Sequence, residues 1–240
     1  MCTISFLLVG IKKTEILRSL NTIVSPSITY SLQQLFALWI VELRIENHSA
    51  PPSNKELLIS RVQDYFSENI IAFNETNLSI IVGQHLRRRG ETISTAESCT
   101  AGKIASWLAD IPGSSSYLME GAIVYSNQSK TRLCGVPSQM IAQYGAVSSQ
   151  VAIALSEGIL TRSHTDWALA VTGIAGPGGG SAQKPVGTVH ISCSSAYGTK
   201  ERRFLFSGDR QEIRDQTATQ ALVLLLENIL EVDRYSSRNL

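Results

Sequence analysis

Apolar and polar positions change period along the chain, and the change divides it near residue 75. In the first part, Ile4 to Val9 is an apolar run that predicts a strand. Ile16, Leu17, Leu20 and Ile23 share one face of a helix over 14–23, which Pro26 follows rather than interrupts. Leu38 to Ile45 alternates in its second half as a half-buried strand does. Pro51-Pro52-Ser53 breaks the chain and opens a helix from about 55 to 65 that carries Leu57, Leu58 and Val62 inward, and Ile70 to Phe73 predicts a short strand. Residues 1–75 therefore read as a small α+β module without a cluster of reactive side chains.

From Asn74 onward helical and strand patterns alternate. Thr76 is placed to cap a helix bearing Leu78, Ile81, Val82 and Leu86, which Gly90 ends. Thr92–Thr95 predicts a strand, 102–109 a helix stopped by Pro112-Gly113, and Gly121–Tyr125 a strand turning at Ser126-Asn127 into a helix that contains Lys130. Val147-Ser148-Ser149 starts an amphipathic helix with Val151, Ala154, Leu155 and Ile159 spaced for burial. Asp166–Thr172 is apolar through its middle, as suits a strand covered on both faces. Two antiparallel strands, 186–193 and 201–206, flank the Ala196-Tyr197-Gly198 turn. A closing helix begins at Gly208-Asp209-Arg210, with fraying expected from Arg234. The alternation predicts a layered α/β domain over 76–240.

Composition narrows the classes. At 240 residues and 43% hydrophobic content the chain can bury a full core. Twenty-one basic against 20 acidic residues leave a formal charge of +1, which argues against a nucleic-acid partner. The one basic cluster, Arg87-Arg88-Arg89, sits where a helix C-terminus is expected and reads as a partner for its dipole. Cys2, Cys99, Cys134 and Cys193 are scattered and form no CxxC pair, so reduced thiols in a cytoplasmic protein are expected. His48, His85, His164 and His190 are equally dispersed, and neither a metal nor a cofactor is expected. The run Ile4–Val9 is too short to cross a bilayer and lacks the flanks of a signal peptide, so no membrane association is expected.

Three segments carry candidate chemistry. In Thr95-Ala96-Glu97-Ser98-Cys99-Thr100-Ala101-Gly102, Ser98 falls at a turn between a strand and a helix, where its hydroxyl either caps the helix or projects into a cleft as a nucleophile. Lys130 either lies on the surface or, buried beside Ser98, is a neutral amine able to take the hydroxyl proton. Gly173 to Ser181 holds five of the 17 glycines, and its backbone either forms a mobile loop or cradles an anion. No histidine completes a Ser-His-Asp set, so Ser-Lys is the economical pairing. Tyr125, Thr172 and Arg210 are further polar groups at strand ends or helix starts, where open α/β sheets gather ligands.

The ordered set Ala96-Glu97-Ser98-Cys99-Thr100-Ala101-Gly102, Tyr125-Ser126-Asn127 with Lys130, Gly145-Ala146-Val147-Ser148, Thr172-Gly173-Ile174-Ala175-Gly176-Pro177, Lys184-Pro185-Val186-Gly187-Thr188-Val189 and Gly208-Asp209-Arg210 resembles the C-terminal domain of the CinA family, the nicotinamide-mononucleotide deamidases. The resemblance implies a three-layer α/β/α sandwich with a mixed sheet, commonly a homodimer. It also implies metal-free hydrolysis of nicotinamide mononucleotide to nicotinate mononucleotide and ammonia, in pyridine nucleotide salvage. Ser98 is then the nucleophile and Lys130 its base, with Tyr125 and Thr172 positioning the dyad or substrate. Arg210 binds substrate with Gly173, Ala175, Gly176 and Gly180 of the loop, together with Thr100 and Asn127. Where the family usually has glycine this chain has Ala101, whose methyl beside the proposed nucleophile is expected to narrow the site, although a helical φ would tolerate it. That departure, together with the expected lack of the large domain that longer members carry, motivates the alternative of a catalytically inactive nucleotide- or partner-binding module. The front of the chain resembles, over 41–45 and the helix after it, the module that joins this domain to a large molybdopterin-binding-type domain in longer members. Too few residues precede Trp39 to form that domain, and its pyrophosphatase activity is not expected here.

Overall fold

Backbone pairing in the computed structural model, which describes residues 2–35, 38–45, 52–67 and 69–238, joins nine strands into two separate sheets. The chain divides accordingly into two units, residues 1–77 and 78–240. Pro51 and His48 lie outside the described residues.

The first unit runs β1 (Cys2–Val9), α1 (Lys13–Ile23), β2 (Ile28–Leu35), β3 (Leu38–Ile45), α2 (Pro52–Phe66) and β4 (Ile70–Phe73). The sheet order is β2-β3-β1-β4 with every neighbouring pair antiparallel, which is a split βαβ arrangement. Ile4, Phe6 and Leu8 alternate onto one face of β1 and pack with Ile16, Leu20 and Ile23 of α1 and Leu58, Val62 and Phe66 of α2. β2 was not among the expected strands. It is an edge strand, with Ile28 and Leu32 half-buried and Tyr30 exposed, so its apolar signal is weak.

The second unit runs α3 (Leu78–Arg89), β5 (Ile93–Glu97), α4 (Lys103–Ala109), β6 (Leu118–Ile123), α5 (Asn127–Cys134), α6 (Ser138–Tyr144), α7 (Ser149–Ser163), β7 (Trp167–Gly173), β8 (Thr188–Ser195), β9 (Gly198–Leu205) and α8 (Arg210–Arg238). The sheet order is β6-β5-β7-β8-β9. Its first three strands are parallel and the last two antiparallel, the mixed sheet that was expected. Side-chain alternation on β8 fixes the layers. Ser192 and Ser194 both meet Ser156 of α7, at 2.7 Å each, whereas Cys193 between them faces Asn228 of α8. Helices thus cover both faces of the sheet, and β7 is buried continuously from Trp167 to Thr172.

Several boundaries differ from expectation. β6 ends at Ile123, two residues before Tyr125, because the chain must turn to reach the Ser126 cap of α5. α6 has seven residues and one buried side chain, Ile141, too little pattern to be read in advance. The backbone of α8 stays helical to Arg238, where fraying from Arg234 had been expected. No helix among the described residues is long and apolar enough to cross a membrane.

Candidate active site

Ser98 directly follows β5, and its N–H donates to Val171 O of neighbouring β7 at 3.1 Å, so the serine is tied to the carboxyl end of the parallel strands. It does not cap α4. The buried carboxylate of Glu97 does so, accepting N–H bonds from Gly102 at 2.9 Å, Ile104 at 3.1 Å and Ala105 at 2.8 Å. The chain between them bends through left-handed φ at Ala101 (+53°) and Gly102 (+91°). The helical φ that would have tolerated Ala101 is not the one it adopts: the methyl sits in a conformation that favours glycine. Ala101 is not part of the cavity wall, so it does not narrow the site.

Lys130 lies one turn into α5. A reciprocal cap starts that helix: Ser126 Oγ accepts from Ser129 N at 3.0 Å, and Ser129 Oγ accepts from Ser126 N at 3.0 Å. The helical phase puts Lys130 and Cys134, four residues apart, on the buried face. Only 1% of Lys130 is exposed, and Nζ lies within hydrogen-bond distance of Ser98 Oγ at 3.1 Å, Val124 O at 2.7 Å and Tyr125 O at 3.4 Å. Burial pushes its pKa below the ordinary lysine value, favouring the neutral amine. Burial also pushes the thiol of neighbouring Cys99 up to about 12, so Cys99 is a thiol rather than a thiolate at neutral pH.

Ser98, Lys130, Tyr125 and Thr172 line a single cavity of about 220 Å³. Asn127, Gly173, Ala175 and Arg210 complete the part of its wall that the sequence singled out, together with Cys99, Ala146 and Val147. Its two basic groups, Lys130 and Arg210, face no carboxylate among the lining residues, which suits an anionic ligand. Tyr125 is half exposed at this wall, and its hydroxyl accepts from Arg210 Nη2 at 2.9 Å. Arg210 Nη1 donates to Gly176 O at 2.8 Å. Thr172 Oγ1 donates to Ala146 O at 2.8 Å, so this hydroxyl holds the 145–147 loop.

The glycine segment is tied to the chain that follows it by backbone hydrogen bonds. It folds back on 184–188 through Ile174 N to Thr188 O at 2.9 Å, Gly187 N to Ile174 O at 2.8 Å and Ser181 N to Lys184 O at 2.9 Å. A methyl on Gly173 would lie 2.6 Å from Val189 Cγ2, so close approach of β8 requires that glycine. Gly176 and Gly180 pack against Val186 and Thr100 is fully buried; none of the three lines the cavity, and all stand apart from the substrate wall predicted for them. Three residues given no role in advance hold the site together. Glu97 caps α4, Arg214 bonds the carbonyls of Cys99 and Thr100, and Lys184 Nζ donates to Tyr144 O at 2.8 Å and Val147 O at 2.7 Å. Only the register of Arg214 one turn beyond Arg210 hinted at such a role. Among the described residues no group of three or more His, Cys, Asp or Glu is placed to hold a metal ion.

This three-layer domain, with a serine at its strand ends and a buried lysine one turn into α5, matches a known sequence family. The family model described as the CinA C-terminal domain matches residues 75–229, and the chain belongs to that family. A CinA-like protein of Geotalea uraniireducens is 41% identical over 196 residues, and one of Desulfotalea psychrophila is 44% identical over 170. These matches take in 80% and 71% of this chain but only 46% and 41% of the relatives, so the chain spans less than half the length of either. Among solved structures, the competence/damage inducible protein CihA from Agrobacterium tumefaciens is 39% identical with a TM-score of 0.62, covering 63% of this chain and 95% of that one. A CinA superfamily protein from Klebsiella pneumoniae is 30% identical with a TM-score of 0.63, covering 65% of this chain and 99% of that one.

Proposed function

We propose that the second unit is an amidohydrolase that converts nicotinamide mononucleotide to nicotinate mononucleotide and ammonia. The observation that carries this reading is the 3.1 Å contact between Lys130 Nζ and Ser98 Oγ, with the amine buried among acceptors. A neutral amine has two N–H bonds and one lone pair. The N–H bonds suit Val124 O and Tyr125 O, which leaves the lone pair for the Ser98 hydroxyl proton.

Ser98 Oγ attacks the carboxamide carbon as Lys130 takes its proton. The tetrahedral oxyanion falls to backbone N–H groups, of which that of Cys99, the residue after the nucleophile, is the nearest in sequence. Lys130 returns the proton to the amide nitrogen, the C–N bond breaks and ammonia leaves a serine ester. Water, deprotonated by Lys130, then attacks the ester and restores the hydroxyl as the acid departs. Arg210 and the carboxylate-free wall support an anionic mononucleotide over a neutral amide.

Ammonia release from nicotinamide mononucleotide tests the reading. Wild-type protein is expected to turn over, and Ser98→Ala and Lys130→Ala to fall by about 10³-fold, within the range for loss of a nucleophile or base. Ser98→Ala with wild-type turnover ends the mechanism. Saturable binding without ammonia would instead favour a binding module.

A further inference from the structure

Arg214 reaches the nucleophile turn from α8 without lining the cavity. Its Nε donates to Cys99 O at 3.1 Å and its Nη2 to Thr100 O at 2.6 Å. Two consecutive carbonyls thus converge on one cation, a crowding of dipoles that a planar guanidinium relieves with its two-pronged fork. The next two residues carry the left-handed φ values of Ala101 and Gly102, and beyond them Glu97 takes the N–H groups that open α4. The carbonyl side of the turn is therefore held by Arg214 and its amide side by Glu97. Because a trans peptide sets N–H opposite C=O, fixing Cys99 O and Thr100 O also fixes the direction of the Thr100 and Ala101 N–H groups.

We infer that Arg214 is a positioning residue for Ser98, clamping the strained turn that aims the hydroxyl at Lys130. Its consequence for turnover rests on the hydrolase reading. Arg210, one turn earlier on the same helix, ties Gly176 O and the Tyr125 hydroxyl, so the start of α8 braces both sides of the cavity.

The test uses the full chain with Arg214→Ala and Arg214→Lys. It measures kcat and KM for ammonia release, the rate at which a serine-directed fluorophosphonate labels Ser98, and thermal unfolding. A turn displaced by about 1 Å is expected to lower kcat about 100-fold with KM within about twofold, and to slow labelling in parallel. Arg214→Lys is expected to fall between wild type and Arg214→Ala, since an ammonium offers one point of contact where the fork offers two. The acid limb of the pH profile stays in place, because the burial of Lys130 is unchanged. Wild-type kcat and labelling in Arg214→Ala, or a raised KM with unchanged kcat, overturns the positioning role. If Arg214→Ala does not fold, a folded Arg214→Lys with wild-type kcat overturns it equally. A wild-type protein that does not label at Ser98, beside a fully active Ser98→Ala, defeats the dyad reading and this role with it. Labelling of wild type and Arg214→Ala at equal rates defeats this role alone.

Discussion

Lys130 shows most plainly what burying a single basic side chain does to stability. Among the described residues no carboxylate pairs with it, and its folded-state pKa lies below the ordinary 10.5. Between those two values the unfolded chain binds more protons than the folded one, so this residue makes stability rise with pH across that window. Lys130→Met is therefore expected to raise the unfolding free energy at neutral pH, and the gain should shrink as pH approaches 10.5, as denaturant titrations at several pH values would read. The same shift predicts an acid limb in kcat/KM set by Lys130 and lying below the ordinary lysine range; a pH-rate profile flat down to the carboxylate range would contradict it. At Ala101 the left-handed φ makes a simpler prediction. Ala101→Gly should stabilise by about 1 kcal/mol in equilibrium unfolding, since glycine adopts that conformation without a Cβ clash. Ser98, Tyr125 and Lys130 were singled out through the ordered motifs shared with the family, since local pattern alone left a helix cap at Ser98 and a surface position for Lys130 as open readings. Glu97, Lys184 and Arg214 were not, because their partners are backbone atoms brought near only by the fold.

The elements that place these residues were legible in proportion to their burial. β7, buried along its length, and α7, with its Ser148 cap and apolar stripe, follow the pattern closely. Edge strand β2 and short α6 did not announce themselves, since each contributes little to a core. The packing of α5 against α7 has a consequence for the site. Gly158 of α7 lets α5 approach so closely that an added Cβ would overlap the Cys134 carbonyl oxygen. Gly158→Ala is expected to destabilise by about 1–3 kcal/mol in thermal or denaturant unfolding and to lower kcat as α5 carries Lys130 away from Ser98. Unchanged stability would show that α5 can shift freely.

At the scale of the whole molecule, every residue lining the candidate site belongs to 78–240. The solved relatives from Agrobacterium tumefaciens and Klebsiella pneumoniae are covered over 95% and 99% of their length by matches to only 63% and 65% of this chain. A chain restricted to 78–240 is therefore expected to fold, with the kcat of the full chain within about twofold; loss of turnover in a folded 78–240 would assign part of the catalysis to the first unit. The layered architecture was readable from the alternation of helix and strand, whereas the split βαβ order of the first unit depended on the unrecognised β2.

Acid-quenching the wild-type protein during turnover of nicotinamide mononucleotide and mapping its peptides by mass would trap the proposed acyl-enzyme itself. A nicotinoyl-type ester, retaining the ribose phosphate, is expected on the peptide that carries Ser98 and is expected to be absent from Ser98→Ala. An adduct on another residue, or Ser98→Ala turning over at the wild-type rate, would contradict the proposed mechanism.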